Sequence, residues 1–205
     1  MIQVKASLAK FMLYFLSIVP LSALHLLASI IGYILNLVPN NYKKVTKINL
    51  NLCFPKKTEK EIKNLTKKSL IESTKNFLES GKLWLKSPKK INKFLKVEGE
   101  HFVLQSIKKG KGVILFTPHM GNIEILINYL AKNFNCTIPY RQQRILVIDN
   151  LVKNARENMG AKMVKASSSG VKALLTTLKK GELIAIASDQ VPKKENGIIS
   201  IFFGK

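Results

Sequence analysis

Three histidines supply all the imidazole chemistry available to this 205-residue chain, and one of them, His119, has a carboxylate five positions on at Glu124. His25 and His101 have Ile30 and Ser106 at the same offset. On one continuous helix, five steps would separate two side chains by about 140°. His119 and Glu124 can therefore cooperate only if His119 lies in a loop and Glu124 in the first turn of the following helix, a geometry that the Gly121-Asn122 turn permits. The chemistry predicted is general-base catalysis without a protein nucleophile: a carboxylate holds one ring nitrogen while the other removes a proton from a hydroxyl. Cys53 and Cys136 are the only cysteines and lie far apart with no histidine beside either. Their spacing predicts neither a disulfide framework nor a His/Cys zinc site, and nothing in the pattern calls for a metal or a cofactor.

The elements that must position these residues are legible after Pro88. Residues 112–118 read as a buried strand, and Ile123 to Lys132 as a helix with Asn122 as its N-cap. Ile148 to Met159 reads as a helix stopped by Gly160, Ala161 to Val164 as a short strand, Val171 to Lys180 as a helix closed by Gly181, and Leu183 to Ala187 as a buried strand. This alternation predicts an α/β fold, a mainly parallel sheet flanked by helices. Ligand sites in such sheets lie beyond the carboxyl ends of the strands. His119 directly follows the first of these strands, and Asp189 follows the last after a single serine. If the two strands run parallel in one sheet, both side chains emerge on the same edge.

The N-terminal part has a different composition. From Phe11 to Tyr42 there is no Asp, Glu, Lys or Arg, and a hydrocarbon core of about 30 Å needs only ~20 apolar residues. The expectation is an N-terminal membrane helix within residues 1–42, kinked at Pro20. A cleaved signal peptide is disfavoured because the apolar run is too long. A buried core helix would show more of a polar face, and a hairpin in one leaflet is the other alternative. Residues 43–96 follow as a basic helical segment with 16 lysines and four glutamates, hence +12 of the chain's +22. Within it Thr58 and Glu61 form a T-x-x-E capping box. The lysine excess beside the apolar run predicts a cytoplasmic body facing an anionic leaflet. Nucleic acid is not an expected partner, because 31 of the 34 basic residues are lysine, whereas base recognition relies heavily on bidentate arginine.

Several motifs occur in order along the chain: Asn49-Leu-Asn-Leu-Cys-Phe-Pro55, Gly110-Lys-Gly-Val-Ile, His119 to Glu124, and Tyr140-Arg141. They continue with Ala155-Arg-Glu-Asn-Met-Gly160, Leu178-Lys-Lys-Gly181, Ser188-Asp-Gln190 and Phe202-Phe-Gly204. Together with the apolar N-terminus they make the chain resemble the bacterial lipid A biosynthesis acyltransferases, the lauroyl and myristoyl transferases of the wider glycerolipid acyltransferase-like superfamily. The resemblance implies transfer of a fatty acyl chain from acyl carrier protein to a hydroxyl of a Kdo-bearing lipid A precursor at the cytoplasmic face of the inner membrane. It implies His119 as the base and Glu124 as its partner, with Arg156 and Asp189 matching further functional, substrate-binding positions. Read from the residues alone, Arg156 could equally be a snorkelling helix residue and Asp189 a turn residue. Residues 97–205 would be the α/β acyltransferase domain. The family continues past Phe-Phe-Gly, and an apolar run at 198–203 needs neighbours to cover it, so the domain is expected to be C-terminally truncated. Two alternatives remain open at this point: a glycerophospholipid acyltransferase, and a non-catalytic acyltransferase-like protein that binds membranes.

Overall fold

Pro20 and Pro39 divide the apolar N-terminal stretch into separate helices. The structure, a computed structural model, describes residues 2–85, 95–143, 145–189 and 200–201. Helix α1 covers Ile2–Ile18, α2 Leu21–Leu37 and α3 Asn41–Cys53. Proline lacks the N–H that a helix interior needs, and it disfavours the helical conformation of the residue before it. Each proline therefore lies in a break between helices. This corrects the expectation of one kinked membrane helix: among the described residues no single helix is long and apolar enough to cross a membrane, and α2 and α3 reach that length only as a pair bent by 81°.

The chain forms two compact units, one holding residues 18–80 and 200–201, the other 2–17 and 81–189. In the first unit, α2 packs against α4 (Glu59–Leu85). Leu24, Ala28 and Gly32 form the buried stripe of α2. The approach is close at Gly32, where a Cβ would come within 2.6 Å of the Ile71 Cα. Helix α4 starts with the expected capping box: the Thr58 N–H donates to the Glu61 carboxylate at 2.8 Å, and the Glu61 N–H donates to Thr58 Oγ1 at 3.3 Å. Its inward residues Ile62, Leu70 and Leu78 are buried, whereas Phe77 is exposed.

The second unit is the α/β body. It contains α5 (Glu100–Lys108), β1 (Val113–Thr117), α6 (Ile123–Asn133), β2 (Cys136–Tyr140), α7 (Leu146–Asn158), β3 (Lys162–Lys165), α8 (Ser168–Lys179) and β4 (Leu183–Ala187). All strand pairs are parallel, in the order β1-β4-β2-β3. Right-handed crossovers put α6 and α7, which carry the chain from β1 through β2 to β3, on one face. They put α8, which returns it to β4, on the other. Ile127, Leu130, Ile138, Met163, Leu183 and Ala185 form the heart of the core. Strand β2 and helix α5 were not anticipated. In β2 the sequence Cys-Thr-Ile-Pro-Tyr carries Pro139, which argues against an interior strand. The ladder with β4 stops at Thr137, so the missing N–H falls beyond it.

Gln190, Phe202-Phe-Gly204 and the 86–94 part of the basic segment lie outside the described residues, as does the apolar run at 198–203 apart from Ser200 and Ile201.

Candidate active site

The sheet order decides what meets His119. In the register of β1 with β4, Thr117 pairs with Ala187, and Ser188 N–H donates to the Thr117 carbonyl to extend the ladder one step. His119 and Asp189 each lie two residues past that pair and so emerge side by side. The Asp189 carboxylate accepts twice from His119: Oδ2 from the backbone N–H at 2.9 Å, and Oδ1 from Nδ1 at 2.7 Å. An ionised carboxylate can only accept here, so Nδ1 carries a proton, and in the neutral ring Nε2 is the nitrogen that holds the lone pair. These two bonds, the backbone one first, hold the Asp189 carboxyl below the usual aspartate range. It is therefore ionised at neutral pH. The His119 side chain is 44% exposed and so open to a substrate.

Glu124 takes a different partner from the one its spacing suggested. Its oxygens accept from Arg156 on α7, Oε2 from Nε at 3.0 Å and Oε1 from Nη2 at 2.5 Å. The pair is deep, with 2% of the Glu124 side chain and 17% of the Arg156 side chain exposed. Asn122 caps α6 as expected, accepting from the Glu124 N–H. Gly121, at φ +64°, supplies the left-handed turn between histidine and cap. The loop-then-helix geometry thus forms, but Glu124 sits in the second position of α6 and turns inward toward α7. The partnership of His119 with Glu124 gives way to His119 with Asp189 and Glu124 with Arg156. One turn further along the same face, Asn128 is 1% exposed and its amide finds no hydrogen-bond partner among the described residues.

One member of each pair, His119 and Arg156, lines a cavity of about 140 Å³ together with Thr117, Ile123, Leu126 and Ala187. Leu126 and Leu130 also wall a larger cavity of about 500 Å³ on the other flank of α6. Phe116 and Met120 stand exposed on either side of His119 in the chain. The arrangement offers a proton acceptor at Nε2 and the guanidinium N–H groups that Glu124 leaves free, in apolar surroundings. Among the described residues no group of three or more His, Cys, Asp or Glu is placed to hold a metal ion.

The family profile described as bacterial lipid A biosynthesis acyltransferase matches residues 2–205. A lipid A biosynthesis acyltransferase of Haemophilus influenzae is 27% identical over 159 residues, which is 76% of this chain and 49% of that protein. The lipid A biosynthesis lauroyltransferase of Escherichia coli K12 is 25% identical over 150 residues, 71% of this chain and 47% of that one. The palmitoleoyltransferase of the same organism is 20% identical over 161 residues, 78% and 52%. The chain spans about half the length of the curated relatives it matches. With the family profile running along the chain from residue 2 to residue 205, this protein belongs to the bacterial lipid A biosynthesis acyltransferase family.

Proposed function

We propose that the protein transfers a fatty acyl chain from an acyl carrier protein thioester to a hydroxyl of a Kdo-bearing lipid A precursor, working at the cytoplasmic face of the inner membrane. The observation that carries this reading is the histidine at the strand end with its Nδ1 held by an ionised aspartate. His119 Nε2 takes the proton of the acceptor hydroxyl as its oxygen attacks the thioester carbonyl carbon. Asp189 stabilises the imidazolium that forms. Arg156 lines the same cavity, and its N–H groups not engaged by Glu124 stabilise the negative charge on the carbonyl oxygen. Collapse of the tetrahedral intermediate breaks the carbon–sulfur bond, and the imidazolium returns the proton to the departing thiolate. Ile123 and Leu126 offer methylene-compatible walls beside the reacting centre. The net charge of +22 suits an acidic carrier protein as donor and anionic lipid as surroundings.

The test is acyl transfer by the purified protein with acyl carrier protein donor and lipid A precursor. His119→Ala is expected to lower the rate by about 10² to 10⁴ while leaving the fold intact. Near-normal turnover by a folded His119→Ala protein would overturn the mechanism. Mass spectrometry of lipid A from cells with and without the gene should differ by one acyl chain, and an unchanged profile would count against lipid A as the acceptor.

A further inference from the structure

Helix α2 is built the opposite way round from the surface helix of a water-soluble protein. Its inward stripe carries the small residues Ala28 and Gly32, whereas Leu26, Leu27, Ile30, Ile34 and Leu37 on the other side are 38–65% exposed. Helix α3 has no buried residue at all. Tyr42, Val45, Ile48 and Leu52 fall within about a third of its circumference and stand open. Lys43, Lys44 and Lys47 project from the opposite side by the same geometry. An apolar stripe backed by lysines is the pattern of a helix lying in a membrane interface.

Helix α4 decides the orientation of α2. Ile71 meets Gly32, Glu79 binds His25 Nε2 through Oε1 at 2.5 Å, and Lys67 Nζ lies 4.9 Å from the Tyr33 ring centroid. Positions rise along α4 as they fall along α2, so the two helices run antiparallel. Residues 59–80 of α4 carry nine charged side chains. If α2 stood across the hydrocarbon, α4 would bring these ionised groups in with it, which bilayers resist strongly. With α2 lying flat, they stay on the water side.

We propose that α2 and α3 form an L-shaped surface, its arms at 81°, that docks in the plane of one leaflet of an anionic bilayer. Leu26, Ile30 and Ile34 of α2 and Val45, Ile48 and Leu52 of α3 enter the acyl boundary; Lys43 donates to the Asn36 carbonyl and Lys47 pairs with Glu59, so Lys44 and the chain's net charge of +22 draw this surface to anionic lipid. This inference rests on the membrane-bound acceptor of the proposed function and specifies how the enzyme reaches it.

The test uses the full chain carrying Cys53→Ser and single spin-labelled cysteines at Leu26, Ile30, Ile34, Val45 and Leu52, bound to phosphatidylcholine vesicles with and without phosphatidylglycerol. Each labelled protein is first checked for wild-type thermal unfolding. All labels are expected at one shallow depth, about 5–10 Å below the phosphates, with binding at least tenfold tighter to the anionic vesicles. Depth that increases steadily along α2 to the bilayer centre would overturn in-plane docking. Labels that stay at water-like accessibility on vesicles, with self-association through the same face, would replace the lipid by a second copy and equally overturn it. Acyl transfer by the unsubstituted chain on detergent-dispersed acceptor is followed separately, so failure of the enzymatic proposal registers in a different assay.

Discussion

His119 owes its tautomer to a residue 70 positions away in the chain. Asp189→Asn is expected to keep the shape but remove the obligatory acceptor, so Nδ1 and Nε2 compete for the proton. Nitrogen NMR of the wild type should show the neutral ring protonated at Nδ1 alone, and in Asp189→Asn a mixture of the two neutral tautomers with a comparable loss of rate to His119→Ala. The sign of the pH dependence follows from the lowered Asp189 carboxyl. Its stabilisation is fully present above the ordinary aspartate value near 4 and is lost as the pH falls through the lowered folded value. Unfolding curves of wild type and Asp189→Asn should therefore converge in strong acid and separate above it. The two thiols test burial, one in each unit. Burial pushes Cys136 up to about 12, while Cys53 is half-buried. At pH 8 the folded protein should react with one equivalent of thiol reagent, and the denatured protein with two. Asn128 offers a further test: an unpartnered buried amide costs about 1–3 kcal/mol, so Asn128→Leu should leave the melting temperature unchanged or raised.

Helices α6 and α7 are joined by an ion pair whose value lies in its completeness. Removing one member of a buried pair leaves an uncompensated charge, at a cost of about 3–5 kcal/mol, whereas replacing both by apolar residues of similar size is often neutral. Urea unfolding should accordingly find Glu124→Ala and Arg156→Ala each strongly destabilised. The double variant Glu124→Leu with Arg156→Met should regain most of that stability yet remain inactive, because the cavity has lost its guanidinium. Recovered activity in the double variant would show that Arg156 only holds the helices together. The α2–α4 contact is tested the same way: a Cβ at position 32 meets the Ile71 backbone rather than a movable side chain. Gly32→Val should cost at least about 1–3 kcal/mol by overpacking, read as a lower urea midpoint.

At the scale of the whole molecule, charge is the governing quantity. A surface of +22 should steer the acidic carrier protein proposed above as donor, and that attraction weakens as salt shortens the Debye length from about 10 Å at 0.1 M to about 3 Å at 1 M. The expected result is a KM for carrier-bound acyl donor that rises several-fold over this range, while a small acyl thioester without the carrier protein changes little. Equal salt dependence for both donors would show that the positive surface plays no part in donor capture.

What the chain order reveals by itself is whatever depends on short-range periodicity. The α6 helix with its Asn122 cap, the Leu183–Ala187 strand, the Thr58–Glu61 box and the position of His119 at a strand end were legible because each is fixed within a few residues by side-chain spacing and capping chemistry. The apolar stretch misled because a hydropathy sum does not register what a proline does to backbone hydrogen bonding at positions 20 and 39. Strand β2 was hidden by Pro139, whose cost vanishes only where a neighbouring ladder ends. That His119 and Asp189 share a sheet edge follows from their places after two parallel strands, but which carboxylate holds the imidazole could not be read from spacing. Glu124 is five residues from His119 and Asp189 seventy, yet insertion of β4 between β1 and β2 brings the distant carboxylate beside the imidazole, and the winding of α6 carries the near one to Arg156. Such pairings depend on which strands become neighbours, and that is decided only when the whole sheet closes its hydrogen bonds and buries its faces together.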